Sequence, residues 1–221
     1  MKTVAAIYTA PTIVDPVSEV FAELLPDVRL VNIVDGSLIQ DVIAANRVTR
    51  AVERRLLRYF MACEDVNAEV ILNTCSSIGE ASQALTRYIN LPIVNIDTAM
   101  ARTAVENART VAVLATLATT LGPTVRLVSR CAEEAKRNVD VVDGLARGAF
   151  DALVGGNAEE HDRILMKTAR NVASRADAIV LAQGSMARMQ EELESETGVK
   201  VFSSIRSGVA SVGSFLKELQ A

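Results

Sequence analysis

The chain has 221 residues, half of them hydrophobic and 23% charged, with a net charge of −4 and no basic cluster; it can bury a useful core, reads as ordered throughout, and does not fit nucleic acid as a partner. No apolar run approaches the roughly 18 residues of a membrane-spanning helix. The three cysteines, Cys63, Cys75 and Cys131, form no CxxC pair and His161 is the single histidine, which excludes a disulfide framework, suits a reducing cytoplasm and leaves metal or Ser-His-Asp chemistry poorly supplied.

In chain order, the first apolar run covers residues 3–8, stops at Thr9 and meets Pro11. It reads as a buried strand, because its apolar stretch is short for a signal peptide and no convincing cleavage pattern follows. Further strands are predicted at 28–33, 70–73, 93–95, 111–114, 139–142, 178–182 and 200–202. Helical period marks 46–63, 78–88, 98–108, 120–137, 158–176, 186–194 and 208–219. Apolar strands alternating with helices predict an α/β protein with mostly parallel sheets and helices on both faces.

One pattern occurs twice. AEVILNTC at 68–75 and ADAIVLAQ at 176–183 each run from Ala and an acid through an apolar strand to a polar residue before the next helix. The second copy lies about half a chain after the first, so two similar α/β lobes are expected, with these strand ends across a shared cleft. The expected lobes are 1–97 with 205–221, and 98–204.

Ligands of open α/β sheets bind at the carboxyl ends of the strands. Those ends deliver Thr9 to Thr12, Cys75-Ser76-Ser77, Thr116 to Thr120, and Gln183-Gly184-Ser185. Hydroxyl, amide and thiol groups dominate, a set that holds a small anion by N–H and O–H donors without arginine clamps. Cys75 is the candidate reactive group, because a thiol ahead of a helix can be stabilised as thiolate. The helix dipole contributes about 0.3–1 kcal/mol, under one pKa unit. Donors on Ser76 and Ser77 would have to supply the rest.

ADAIVLAQGSMA, AEVILNTCSSIG and VAVLATLATT together resemble the aspartate/glutamate/hydantoin racemase superfamily over most of the chain. The resemblance implies two similar Rossmann- or flavodoxin-like lobes and an active site in the cleft between them. It implies two cysteines that exchange a proton with the substrate α-carbon, and neither pyridoxal phosphate nor metal. By position the first cysteine falls on Cys75, followed by Ser76 and Ser77. The threonine-rich carboxylate loop falls on Thr116, Thr119 and Thr120, and the pocket-lining loop after the first strand on Thr9 to Thr12. The second cysteine falls on Gln183, beside Gly184 and Ser185, and glutamine is neither acid nor base at neutral pH. The expectation is therefore a cofactor-independent, racemase-like isomerase acting on an amino acid or related small acid, cytoplasmic, and a homodimer or larger homo-oligomer. The alternatives are a single-cysteine decarboxylase, a cis–trans isomerase or lyase on a dicarboxylate, or a non-catalytic carboxylate-binding protein.

The remaining candidates read as structural. His161 sits in a polar helix start and is expected at the surface or in a cap. Cys63 and Cys131 fall within helices. Asp97 is expected to cap the next helix, with substrate-amine contact as the alternative, and Asp35 to form a turn with Gly36. Gly155-Gly156-Asn157 reads as a loop without a phosphate cradle.

Overall fold

The protein is described here from a computed structural model covering residues 1–219. The chain divides into two compact units, Met1–Asp97 with the segment from Ile205 onward, and Thr98–Ser204. Each is built on a four-stranded, all-parallel sheet.

The first unit opens with β1 (Lys2–Tyr8), α1 (Val14–Leu24), β2 (Val28–Val34), α2 (Ser37–Ala45) and α3 (Arg50–Asp65). It continues with β3 (Val70–Asn73), α4 (Gly79–Leu85) and β4 (Ile93–Asn95), in the sheet order β2-β1-β3-β4. β1 from Thr3 onward and all of β3 are buried because helices cover both their faces. Ala5, Ile7 and Ile71 pack with Leu38, Val42, Val52, Leu56, Phe60 and Ile78. Side chains alternate along a strand, so Val4, Ala6, Tyr8 and Leu72 face the other way, and all are buried.

The second unit comprises α5 (Thr98–Asn107), β5 (Thr110–Ala115), α6 (Ala118–Glu134), β6 (Asp140–Leu145), α7 (Ala149–Val154), α8 (Ala158–Ala173), β7 (Ala178–Leu181), α9 (Gln190–Thr197) and β8 (Lys200–Phe202). Its sheet order is β6-β5-β7-β8. One face puts Val111, Val113 and Val180 against Met100, Val105 and Val128. The other puts Leu114, Ile179 and Leu181 against Leu165, Val172 and Leu193. The acid of the second octet ties the start of its strand to β5, since Asp177 Oδ2 accepts the N–H groups of Arg109 and Thr110 at 3.0 and 2.9 Å.

The chain then returns to the first unit as α10 (Ser204–Glu218). Two glycines set how close this helix approaches. A Cβ on Gly208 would fall 2.5 Å from the Ile96 carbonyl oxygen, and one on Gly213 would fall 2.9 Å from Leu25 Cδ2.

The sequence reading missed α1, α2 and α7, and it merged the α2–α3 connection into one helix. Asn46 adopts φ 50° and ends α2, and Thr49 then starts α3 by accepting the Val52 N–H at 3.3 Å. Asn and Thr are suited to those two positions.

Candidate active site

Both repeated octets become the strand next to the first strand of their sheet, in one register. Ile7 pairs with Asn73 and Leu114 with Leu181. Two residues beyond each pair stand Thr9 with Cys75, and Thr116 with Gln183. Cys75 and Gln183 are each the extended residue that starts a 3-10 turn, with φ/ψ of −122°/114° and −129°/136°. The backbone repeats too: Thr74 N–H donates to the Ile7 carbonyl at 3.1 Å and Ala182 N–H to the Leu114 carbonyl at 2.9 Å.

In the first unit, Thr9, Cys75, Ser76 and Ser77 come together. Cys75 retains some exposure, whereas Thr9, Ser76 and Ser77 are buried. Burial raises the Cys75 thiol pKa above its ordinary value. Hydrogen bonds from the Thr9 hydroxyl and the N–H groups of Ser77 and Ile78 pull it down, the Asp97 charge adds to the rise, and the net direction is upward. The expected thiolate-stabilising helix is also shorter than read. The turn Ser76–Ile78 is 3-10, α4 spans only seven residues, and Thr86–Tyr88 is 3-10 again. The three directed donors, more than a helix dipole, stabilise charge on this sulfur.

Asn73 is a functional candidate that the sequence reading passed over. Its Nδ2 donates to the Cys75 carbonyl at 3.1 Å and to Asn95 Oδ1 at 2.9 Å, while its Oδ1 accepts the Cys75 N–H at 3.3 Å. Asn95 Nδ2 in turn donates to the Gly79 carbonyl at 3.3 Å. The signal was an amide inside an otherwise apolar strand, which must find partners when buried.

In the second unit, Thr116 and Gln183 follow the neighbouring strands β5 and β7, Thr119 and Thr120 lie in the first turn of α6, and Gly184 and Ser185 come directly after Gln183. Gln183 and Thr116 bond reciprocally: Thr116 N–H donates to Gln183 Oε1 at 2.7 Å, and Gln183 Nε2 donates to Thr116 Oγ1 at 2.7 Å. Thr116 and Thr120 are buried, and Thr119 Oγ1 is buried without a hydrogen-bond partner. Gly184 and Ser185 begin the partly exposed 3-10 segment Gly184–Met189.

The other candidates resolve individually. His161 is 1% exposed, which corrects the surface reading. It shares the apolar stripe of α8 with Leu165, Ala169 and Val172, its Nδ1 meets Asp162 Oδ1 at 2.7 Å, and its Nε2 has no partner. Cys63 and Cys131 are buried, and desolvation lifts the Cys63 thiol to about 12. Asp97 is buried and acts on the charge of Cys75. Asp35 accepts from the Ser37 N–H and hydroxyl and from the Tyr59 hydroxyl, closing the turn through Gly36 that leads into α2. Asn157 caps α8 by accepting the Glu160 N–H at 3.0 Å. Among the described residues, no three His, Cys, Asp or Glu side chains are grouped to share a metal ion, and no helix is long and apolar enough to cross a membrane.

The model of the Asp/Glu/Hydantoin racemase family matches residues 9–212. Among solved structures, the chain is similar to glutamate racemase isoform RacE1 from Bacillus anthracis, with TM-score 0.79 and 13% identity, covering 98% of this chain and 82% of that one. It is similar to an allantoin racemase from Klebsiella pneumoniae, with TM-score 0.73 and 13% identity over 98% and 88% of the two chains. Picrophilus torridus aspartate racemase gives TM-score 0.73 and 14% identity over 96% and 92%. At these identities the likeness is one of fold. No curated protein matches the sequence.

Proposed function

The chain belongs to the Asp/Glu/hydantoin racemase family, and from that premise we propose that it is a racemase-type isomerase acting at the α-carbon of a small carboxylate, with Cys75 as the proton-transfer group. The observation that carries this reading is the set of three donors on the Cys75 sulfur, from Thr9, Ser77 and Ile78. A buried structural thiol has no need of three donors, whereas a sulfur that alternates between thiol and thiolate does.

In the protonating direction, the S–H bond of Cys75 breaks, its proton joins the electron pair on the α-carbon, and sulfur is left as thiolate facing those donors. In the reverse direction the thiolate takes the α-proton and the electron pair spreads into the substrate carboxylate. Ser76 and the backbone N–H groups around Cys75 are assigned to hold that negative charge. Within the second unit, Thr119 is the best-supported ligand-binding hydroxyl, because it is buried and has no protein partner. Because the thiol pKa is raised, the thiol form predominates at neutral pH, and the minor thiolate fraction is the form that takes the α-proton and opens the cycle.

A second reading is favoured by Gln183, which cannot move a proton and is committed to Thr116 in both directions. With one acid at these two strand ends, the reaction becomes one in which loss of another group makes the carbanion and Cys75 protonates it, as in a decarboxylase or lyase. Deuterium exchange in a panel of chiral amino and dicarboxylic acids tests both. Incorporation with loss of configuration supports the racemase, and incorporation with retained configuration supports the single-acid reaction. Full exchange activity in Cys75→Ala removes the thiol from either. Assembly as a homodimer or larger belongs to the same proposal, and sedimentation velocity reads it directly.

A further inference from the structure

We infer that Asn73 is a positioning residue for Cys75: its side-chain amide takes the place of a missing neighbouring strand and fixes the peptide that aims the sulfur at its donors. This rests on the reading of Cys75 as the proton-transfer group.

β3 ends at Asn73, and its neighbour β4 ends at Asn95, level with it in register. Cys75 therefore lies two residues past the last strand pair, where no ladder holds its backbone. A residue paired in a parallel sheet has both its N–H and its C=O bonded to the neighbouring strand. The Asn73 side chain offers the same two bonds to Cys75, one to its N–H and one to its carbonyl. The order of the bonds fixes the amide's orientation. The Cys75 N–H can only donate, so Oδ1 must face it, which turns Nδ2 to the Cys75 carbonyl and to Asn95 Oδ1.

Asn95 then anchors the clamp to the Gly79 carbonyl, at the first residue of α4. The bonds thus span the segment Cys75 to Gly79, which includes the Ser77 and Ile78 N–H groups directed at the sulfur. Loss of the clamp leaves Cys75 free to rotate away from them. The second unit supports the contrast. At the register position of Asn73 it has Leu181, and Gln183, where Cys75 would be, is held through its own side chain instead.

The test is the pH profile of Cys75 alkylation by iodoacetamide, read by peptide mass spectrometry in Asn73→Leu and Asn95→Ala, with the melting temperature followed in parallel. Loss of the Ser77 and Ile78 donors disfavours the thiolate. The folded Asn73→Leu protein is therefore expected to react roughly tenfold more slowly at pH 8, the effect of one pKa unit, with its profile displaced upward. Asn95→Ala, which leaves the Asn73–Cys75 bonds in place, shifts the same way by about threefold. It keeps the test readable if Asn73→Leu fails to fold. A purely structural role would lower the melting temperature and leave the profile unmoved. An unchanged or faster profile in the folded variants overturns the inference. Exchange activity in Cys75→Ala, which these rates do not involve, tests the underlying reading separately.

Discussion

The equivalence of Thr9–Cys75 and Thr116–Gln183 makes Gln183→Cys the most informative substitution. It removes two hydrogen bonds of 2.7 Å each, and a thiol is too weak a donor and acceptor to restore either fully. At about 0.5–1.5 kcal/mol per neutral bond, the expected loss is about 1–3 kcal/mol. For a chain of this length that lowers the melting temperature by roughly 2–12 °C. In exchange, the second unit gains a proton-transfer group on an extended residue that matches Cys75 in φ, ψ and register, with Thr116 placed as Thr9 is. A positioned acid or base is worth roughly 10²–10⁴ in rate. Interconversion of the enantiomers of whichever acid exchanges should therefore rise at least about a hundredfold. Gln183→Leu should lose the same stability without that gain. Chiral chromatography after timed incubation reads the rate, and a thermal melt reads the cost. The reasoning fails if Gln183→Cys is folded and its new thiol can be alkylated, yet enantiomers interconvert no faster than in the parent protein.

Three further outcomes follow from the geometry. Burial raises the Cys75 thiol pKa and the Asp97 charge adds to it, so alkylation of Cys75 should still be climbing above pH 9. Asp97→Asn should speed alkylation at pH 7 by removing the like charge, and an unchanged rate would detach Asp97 from the sulfur. Gly208→Ala sets a Cβ against the Ile96 backbone oxygen, which cannot swing aside, whereas Gly213→Ala meets the flexible end of Leu25. Overpacking of that kind costs about 1–3 kcal/mol, so Gly208→Ala should melt well below Gly213→Ala, and the reverse order would refute the α10 docking. Desolvation raises the Asp35 carboxyl pKa, but bonds from Ser37 and Tyr59 and the Arg55 charge outweigh it, and the net direction is down. A lowered folded-state pKa stabilises the protein above the ordinary carboxylate value of about 3.9 and is lost as pH falls through the lowered one. The melting-temperature gap between the parent protein and Asp35→Asn should therefore be widest above about pH 5 and close toward pH 2; a gap that does not vary with pH would refute the assignment.

Much of the fold was legible because burial on both faces leaves a plain mark. The strands at Val70–Asn73, Ile93–Asn95 and Lys200–Phe202 have the bounds that their apolar runs suggested. α1 escaped notice because Pro16 lies in its first turn, a position that tolerates proline. α7 is only six residues long, too short to display a period. His161 was misread from its polar neighbours, although Leu165, Ala169 and Val172 at helical spacing carried the signal for a buried stripe.

The amino-acid order by itself determined that two αβ repeats would form and that a thiol and an amide would end corresponding strands, since strand and helix periods are local properties of the chain. Tertiary structure alone decided what those groups became. Thr116 and Gln183 are 67 residues apart and meet only through the β5–β7 register. The proton affinity of Cys75 is a balance between packing around its sulfur and donors from Thr9, Ser77 and Ile78. Desolvation and hydrogen bonding depend on distances across the fold, and no spacing along the sequence encodes them.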